Sequence, residues 1–256
     1  MKIILPSKGA LGDRVVDMRP ATFADLRNVQ SLNQEEELLK IEFVQSLVKD
    51  LHLDRITKMD MDYLFIIAAM QVQLNSVGFT VTCKCGSQIK DLVKFGDQDL
   101  IELPKTKLPY HTTVGKSKAS FTLLSAQNHL DACIYALQQE DFKSAYEDAC
   151  AAFIFCKDLS CIEWVKQLDI ATYLSAFLFQ KSLFHGVVLK KKILCPDCGK
   201  VTEVQIKPTT DLIKIDTNVL MDQFVNVTTV LDFDNFLKMT IPEFNTFKET
   251  VKVSCL

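Results

Sequence analysis

The chain carries the same sequence landmarks twice and in the same order, and this repetition constrains its fold more than any other feature. Each copy has a Leu-Pro pair, a hydroxyl residue typical of a helix N-cap, a Tyr-Leu pair, a glycine, and a cysteine pair followed by glycine. The matches are Leu5-Pro6 with Leu108-Pro109, Thr22 with Ser125, Tyr63-Leu64 with Tyr173-Leu174, Gly78 with Gly186, and Cys83-Lys84-Cys85-Gly86 with Cys195-Pro196-Asp197-Cys198-Gly199. The offset grows only from 103 to 113 residues, so a few small insertions would separate two tandem pseudo-repeats.

The landmarks also predict the architecture of each half. Apolar residues recur at spacings of three and four in residues 38–51 and 149–156, which indicates amphipathic helices. The apolar run that starts at each Tyr-Leu pair predicts a buried helix ending at Gly78 or Gly186. A hairpin tipped by cysteines follows each helix. We therefore predict a mainly α protein with small β hairpins (α+β), built from two pseudo-repeats.

Three segments follow from this reading. Residues 1–104 form the first repeat, residues 105–209 the second, and residues 96–118 contain the connection between them. Residues 210–256 have no counterpart in the first half and are predicted to be a helical extension. Its apolar residues include Leu212, Ile213, Leu220, Phe224, Leu231, Phe233, Phe236 and Leu237. These side chains either pack back on the repeats or offer a partner protein a helix to bind.

The two cysteine pairs are the main candidates for a metal site. A thiolate pair in a tight turn can bind one side of a tetrahedral ion, and two pairs complete a structural zinc site. Cys195 and Cys198 have the usual knuckle spacing, whereas Cys83 and Cys85 are one residue closer and need a sharp bend. If the halves pack about a pseudo-twofold axis, the two tips meet. We therefore predict one zinc-ribbon-like site that joins the repeats.

Other interpretations of the cysteines remain open at this point. The pairs could be separate reduced thiols, or a histidine such as His185 or His111 could complete a site. Redox catalysis by the Cys195 pair is disfavoured, because a strand-like run follows it where a redox motif would have a helix. The nine cysteines without a secretion signal indicate reduced thiols and no disulfides. Away from the pairs, the spacing indicates buried thiols at Cys133, Cys150, Cys156 and Cys161.

Composition and motifs exclude several classes of protein. Apolar residues make up 48% and charged residues 24% of the 256 residues, which excludes disordered and coiled-coil proteins. The net charge of -3 argues against nucleic acid as a partner, so residues 190–192 are interpreted as a solvated lysine-bearing strand edge. Residues 35–37 fit the acidic first turn of a helix. No apolar run reaches the length of a membrane span, and no catalytic motif predicts an enzyme or a small-molecule substrate.

Two N-terminal segments resemble a known family. The segment from Ile4 to Gly9 resembles the opening of the baseplate hub assembly proteins of T-even-type contractile-tailed phages, and the segment from Val16 to Asp25 resembles the part that follows it. The apolar helix from Asp62 and the cysteine-glycine pair are similar as well. The resemblance covers most of residues 3–207, although the spacing of Cys83 and Cys85 departs from the C-x-x-C expected there.

This resemblance implies a function that composition does not. It implies a non-enzymatic factor of tail baseplate hub assembly, either an assembly chaperone or catalyst or a minor hub component. Its partners would be other phage baseplate hub proteins. It would act in the host cell cytoplasm during tail assembly or as part of the virion baseplate. The alternative from a different class is a zinc-ribbon regulator that binds nucleic acid, for which steep salt dependence would be diagnostic.

Overall fold

The computed structural model describes residues 1–31, 35–72, 76–94, 98–105, 107–114, 117–206, 213, 233–240, 242–244 and 246–247. The fold is mixed α and β, with small antiparallel sheets. In the first half the elements are β1 (Lys2–Ile4), β2 (Val15–Asp17), α1 (Phe23–Ser31), α2 (Glu36–Leu47), a 3-10 turn (Leu53–Arg55), α3 (Lys58–Val72), β3 (Ser76–Thr82), β4 (Gln88–Lys94) and β5 (Gln98–Ile101).

The second half follows the same order of elements from its first strand to its last hairpin, with one additional short helix and no described counterpart of β5. Its elements are β6 (Tyr110–Val114), β7 (Ser117–Phe121), α4 (Ala126–Ala136), α5 (Phe142–Cys156), a 3-10 turn (Leu159–Cys161), α6 (Ile162–Val165), α7 (Ile170–Ser182), β8 (Gly186–Leu194) and β9 (Val201–Ile206). Within the described chain, no helix is both long and apolar enough to cross a bilayer.

The sheets connect the halves. Strands β1 with β2, β3 with β4, and β6 with β7 form two-stranded sheets, and the third sheet has the order β5-β8-β9. Because β5 precedes residue 104 and β8 follows it, this sheet joins the two predicted repeats. The segment 96–118, predicted as a connection, therefore contributes β5 and β6.

Hydrogen bonds at the starts of α1 and α4 confirm the predicted N-cap residues Thr22 and Ser125. The Ser125 hydroxyl accepts the Asn128 backbone N–H at 3.0 Å at the start of α4. At the start of α1, the Thr22 backbone N–H donates to the Asp25 carboxylate at 2.8 Å, and the Asp25 N–H donates to the Thr22 hydroxyl at 3.4 Å. Both residues therefore satisfy N–H groups that a helix N-terminus leaves without partners.

The predicted helix boundaries at the tyrosines and glycines are wrong. Helix α3 begins at Lys58, five residues before Tyr63, because Thr57 and Asp60 cap it: the Asp60 N–H donates to the Thr57 hydroxyl at 3.0 Å. It ends at Val72, and Gly78 lies inside β3. Gly186 is the first residue of β8, where its φ of +124° suits a residue without a Cβ.

Helices α3 and α7 differ in burial, although the sequence predicts that both are buried. Helix α3 is covered on nearly every side, and Leu64 and Phe65 are fully buried in the main core. Helix α7 buries only Ala176 and Phe179. The opposite face of α7 is exposed to solvent and consists of Ile170, Leu174 and Leu178. The expectation of a buried α7 is therefore wrong, because α2, α4 and β8 pack against α3, whereas no described element covers this side of α7.

The described part of the C-terminal extension packs against the first half. Helix α8 (Phe233–Lys238) places Phe236 against Phe23, with ring centroids 4.4 Å apart, and Phe244 meets both rings edge to face. Phe236 and Phe244 are buried. This part of the extension therefore belongs to the core. The predicted apolar positions Leu212, Leu220, Phe224 and Leu231 lie outside the described residues.

Candidate metal centre

Two β-hairpins carry the four candidate ligands at their turns. Strands β3 and β4 pair up to Thr82 opposite Gln88, and Cys83 and Cys85 lie in the turn that follows. Strands β8 and β9 pair up to Leu194 opposite Val201, and Cys195 and Cys198 lie in that turn. Regular antiparallel pairing thus fixes both ends of each cysteine turn.

Backbone hydrogen bonds close each turn in a similar way. The Cys83 N–H donates to the Ser87 carbonyl at 2.8 Å, and the Gly86 N–H donates back to the Cys83 carbonyl at 2.9 Å. In the second turn the Gly199 N–H donates to the Cys195 carbonyl at 2.9 Å. Gly86 and Gly199 have φ of +94° and +67°, which few other residues adopt. The turns therefore require the glycines that follow the cysteines. The sharp bend predicted for the closely spaced Cys83 and Cys85 is present in the first turn.

The four sulfur atoms form one cluster. All four lie within 4.8 Å of one another. Across the hairpins, Cys83 Sγ is 3.6 Å from Cys198 Sγ, and Cys85 Sγ is 3.6 Å from Cys195 Sγ. A tetrahedral zinc with Zn–S bonds of about 2.3 Å separates its sulfurs by about 3.8 Å. The four cysteines are thus close enough to bind one metal ion.

Contacts beside the cluster hold the two hairpins together. The Ser87 hydroxyl donates to the Asp197 carboxylate between the two turns. Further along the strands, Lys191 Nζ lies 3.0 Å from the Asp91 carboxylate and donates to the Leu92 carbonyl at 2.5 Å. Lys191 therefore joins β8 to β4, and only Lys190 and Lys192 of the predicted solvated run are exposed.

The electrostatics of the cluster favour a bound cation. Hydrogen bonds from Ser87 lower the pKa of Cys85 to about 6, and the backbone N–H groups of Cys198 and Asp197 lower the pKa of Cys195. The Lys200 backbone favours the Cys198 thiolate, but partial desolvation and the neighbouring thiols raise the pKa of Cys198 to about 12. Four adjacent thiolates repel one another unless a cation offsets their charge.

The histidines considered as alternative ligands lie elsewhere. His185 is buried, with Nε2 2.6 Å from the Thr57 hydroxyl and Nδ1 2.8 Å from the Leu183 carbonyl. His111 lies in β6 opposite Ser120. Neither is part of the cysteine cluster. His185 instead connects the start of α3 to the segment before β8.

The remaining cysteines fall into two groups. Cys133 and Cys150 are buried free thiols, as predicted. Cys156 and Cys161 form a disulfide, so the expectation of no disulfides is wrong for this pair. The chain reverses at Lys157, which has a φ of +68°, and the 3-10 turn then brings Cys161 back to the end of α5. Sequence spacing did not indicate this reversal.

A buried polar network between the halves was missed by the sequence analysis. Glu37 of α2 accepts a hydrogen bond from His129 Nε2 of α4 at 2.8 Å, and the Tyr146 hydroxyl donates to His129 Nδ1 at 2.8 Å. Lys40 also contacts Glu37, and Lys58 contacts Asp62. The acidic run at residues 35–37 therefore does more than begin a helix. The only sequence signal for it was a charged residue, Glu37, beside an apolar face.

Charge and burial set the ionisation of this network. Burial alone would raise the pKa of Glu37, but the hydrogen bond from His129 and the charges of Lys58 and Lys40 hold it well below its usual range. Burial lowers the pKa of His129 and outweighs the attraction of Glu37. A neutral His129 that donates from Nε2 and accepts at Nδ1 fits both hydrogen bonds. The network is thus a fixed polar contact between the halves.

Comparison with known proteins adds no relative to this description. No family model, curated protein or solved structure matches the chain.

Proposed function

We propose that this chain is a non-catalytic factor of phage tail baseplate hub assembly that is stabilised by one structural zinc ion. It would act by protein–protein contacts, shielding or templating the surfaces of other hub proteins without covalent chemistry. Its place of action would be the host cytoplasm during tail assembly or the virion baseplate. The observation that carries the structural half of this proposal is the cluster of four cysteine sulfurs.

The donor set favours zinc in a structural role. Cys83, Cys85, Cys195 and Cys198 would supply four thiolates, and thiolates select soft or borderline ions such as zinc. Four protein ligands fill a tetrahedral shell and leave no position for water or substrate. The ion would therefore hold two hairpins together and would not activate a reactant. This supports a structural and not a catalytic role for the ion.

The common order of elements supports the pseudo-repeat. In both halves two strands, two helices and a 3-10 turn precede a long helix and a cysteine-tipped hairpin, with the short helix α6 inserted in the second half. In this interpretation the zinc joins equivalent hairpins of residues 1–104 and 105–209. Superposition of the halves in an experimental structure, with α3 on α7, is the measurement that tests it.

The proposed assembly role rests on the segments that resemble the phage family. Residues in these segments make hydrogen bonds that connect elements of the fold. Arg19 makes two hydrogen bonds to Asp25, at 2.7 and 2.8 Å, and one to the Ser46 carbonyl. The Ser7 N–H donates to the buried Asp60 carboxylate at 3.0 Å. Because these residues make structural hydrogen bonds, their resemblance to the phage family supports a common fold. We propose the assembly role on the basis of that common fold.

Affinity capture from phage-infected cells tests the assembly role. The tagged chain is expected to retain other hub proteins after nuclease treatment and in moderate salt. A Cys195→Ser variant should retain less, whereas Cys133→Ala, which changes a buried thiol outside the cluster, should behave as the unaltered chain. Recovery of no hub protein by a folded, metal-loaded chain would contradict the assembly role.

Exposed lysines beside the cluster favour one alternative, a zinc-ribbon regulator that binds nucleic acid. Lys84, Lys192 and Lys200 are exposed near the two turns. Phosphate contacts release counterions, so binding to a duplex should weaken steeply with salt. Capture of nucleic acid that is lost between 50 and 200 mM salt, about the range over which such contacts fail, would favour this alternative over hub assembly.

A further inference from the structure

The four clustered cysteines differ in exposure, and each exposed sulfur lies beside a buried one. Cys85 and Cys198 are exposed, whereas Cys83 and Cys195 are only 4% and 1% exposed. The two sulfur contacts of 3.6 Å across the hairpins pair Cys85 with Cys195 and Cys198 with Cys83. Each contact therefore joins one sulfur that a small solute can reach to one that the turns cover.

This arrangement suits the oxidation of cysteine by a peroxide. An exposed thiolate attacks the peroxide and becomes a sulfenic acid, and a neighbouring thiol then converts the sulfenic acid to a disulfide. A buried partner remains available for the second step, because the oxidant does not consume it first. The cluster supplies such a partner twice, Cys195 beside Cys85 and Cys83 beside Cys198.

Four cysteines can form two disulfides in three ways, and the two turns favour one of them. Pairing within the hairpins would join Cys83 to Cys85 in a small ring that disfavours the usual disulfide geometry. It would also strain the turn that the Gly86 N–H closes on the Cys83 carbonyl. Pairing Cys83 with Cys195 would join two buried sulfurs, which the oxidant does not reach. The third arrangement joins the sulfurs that are already in contact across the hairpins.

Contacts outside the cluster hold the two hairpins together without help from the sulfurs. The Ser87 hydroxyl donates to the Asp197 carboxylate between the turns. Along the strands, Lys191 Nζ lies 3.0 Å from the Asp91 carboxylate. The sulfur pairs therefore stay neighbours when an ion leaves. Each pair needs to close by only about 1.5 Å to reach the ordinary disulfide bond length, and side-chain rotation can supply this movement.

We propose that the cysteine cluster is an oxidation site for hydrogen peroxide, and that its oxidation releases zinc and forms the disulfides Cys83–Cys198 and Cys85–Cys195. In each pair the exposed thiolate attacks a peroxide oxygen, the O–O bond breaks, and hydroxide leaves. The buried thiolate then attacks the sulfenic sulfur, the S–O bond breaks, and a second hydroxide leaves. Per chain, four thiolates, two peroxide molecules and four protons give two disulfides and four water molecules.

The oxidation site rests on the proposed zinc site and adds regulation to it. Oxidation replaces one ion with two covalent links between the same hairpins, so the oxidised chain keeps its fold without metal. A dithiol reductant returns the four thiolates and, with them, the capacity to bind zinc. The reaction modifies the protein itself and does not require Cys195 and Cys198 to act as a redox catalyst.

Peroxide treatment of the purified, zinc-loaded chain tests this proposal. Released zinc is measured with the dye 4-(2-pyridylazo)resorcinol, and disulfides are mapped by mass spectrometry of proteolytic peptides. We expect loss of zinc together with the linked peptides Cys83–Cys198 and Cys85–Cys195. The buried thiols Cys133 and Cys150 should stay reduced and serve as an internal control. Dithiothreitol should reverse the disulfides, and added zinc should then bind again.

Two variants separate the attacked sulfurs from their partners. Cys85→Ser removes an exposed sulfur and should form only Cys83–Cys198, with Cys195 remaining a thiol. Cys195→Ser removes the partner of Cys85, so the sulfenic acid should persist and dimedone should label Cys85 more strongly than in the unaltered chain. Cys133→Ala should behave as the unaltered chain. If Cys195→Ser does not fold, the disulfide maps of Cys85→Ser and of the unaltered chain decide.

The results separate the oxidation site from the zinc site. A folded chain purified without metal contradicts the zinc site, and the disulfide map of that reduced chain still tests the pairing. Three results would overturn the oxidation site while the zinc site stands. They are zinc that stays bound at peroxide concentrations that oxidise free cysteine, a Cys195–Cys198 disulfide as the main product, and oxidation of Cys133 as fast as that of the cluster.

Discussion

At the scale of single residues, burial separates the roles of the four clustered cysteines. Cys83 and Cys195 are buried beneath the turns, whereas Cys85 and Cys198 are exposed. Replacing a buried cysteine by serine would therefore remove a ligand of the proposed zinc site and leave a hydroxyl inside the hairpin junction. In the proposed zinc site the exposed pair would complete the ligand set at the surface, where a chelator can reach it.

Replacing a buried ligand should release the metal and destabilise the chain. Cys195→Ser is expected to lower the free energy of unfolding by on the order of 5 kcal/mol, because the binding energy of a structural zinc is folding energy. Chelator should destabilise the unaltered chain but have no further effect on this variant. Chemical denaturation with and without chelator measures both. Cys133→Ala is the control, and an equal chelator effect on all three proteins would contradict the assignment.

The Glu37–His129 contact predicts a pH dependence of stability. Both groups have a folded pKa below the unfolded value, so the unfolded chain binds more protons and stability falls on acidification. The loss should begin near pH 6.5, about the ordinary pKa of histidine, and continue below about 4.3, where glutamate titrates. The other charged groups facing this contact are Lys40, Lys58 and Asp62.

The measurement is the melting temperature between pH 8 and pH 5 for the unaltered chain and for His129→Gln, which cannot protonate in this range. The variant should have a lower melting temperature than the unaltered chain at pH 8, and its melting temperature should fall less on acidification. His52→Gln, at a position outside the network, controls for the remaining histidines. A variant with the same pH slope as the unaltered chain would contradict the role of His129.

The sequence predicted that the two cysteine pairs come together but did not predict this polar contact, and the reason is physical. Two cysteine-glycine turns are local motifs, so each can be recognised without knowing the fold. Glu37 and His129 are 92 residues apart and meet only because α2 and α4 pack together. The Cys156–Cys161 disulfide was missed for a similar reason, because it depends on the left-handed conformation of Lys157.

At the scale of elements, helices α3 and α7 show what an apolar pattern can and cannot predict. Both are apolar on most sides, so the sequence predicts two buried helices. The structure buries α3 between the halves and leaves Ile170, Leu174 and Leu178 of α7 exposed. Periodicity gives the type of element, whereas the neighbours that cover it depend on the arrangement of the whole chain.

Substitutions on the two helices should therefore differ in effect. Phe65→Asp places a charge in the main core and should unfold the chain, and Phe65→Ala should cost about 3–5 kcal/mol. Leu178→Asp should change stability by no more than about 0.5 kcal/mol, as expected for an exposed position. Thermal denaturation of the purified variants measures this. A Leu178→Asp protein as unstable as Phe65→Ala would show that the exposed face is covered.

At the scale of the whole molecule, the two halves are joined in several independent ways. The β5–β8 pairing, the Glu37–His129 contact and the cysteine cluster each link residues before and after position 104. The C-terminal extension packs on the first half through Phe236 and Phe244. The chain should therefore unfold cooperatively, and neither half is expected to be stable alone.

Removing the aromatic contacts of the extension tests its place in the core. Phe244→Ala should lower the free energy of unfolding by about 3–5 kcal/mol, as for other buried aromatic residues. Phe247→Ala, at a partly buried position three residues later, is the matched control and should cost clearly less. Equal and small effects of the two variants would instead assign the extension to a partner contact.

Native mass spectrometry of protein purified without added metal tests whether the two hairpins jointly hold one zinc ion. We expect one zinc per chain in the unaltered protein and none in Cys83→Ser or Cys195→Ser, with Cys133→Ala retaining one. Loss of zinc from a variant of either hairpin would show that both pairs bind the same ion. A fully folded chain without metal, or a variant of one hairpin that keeps its zinc, would contradict it.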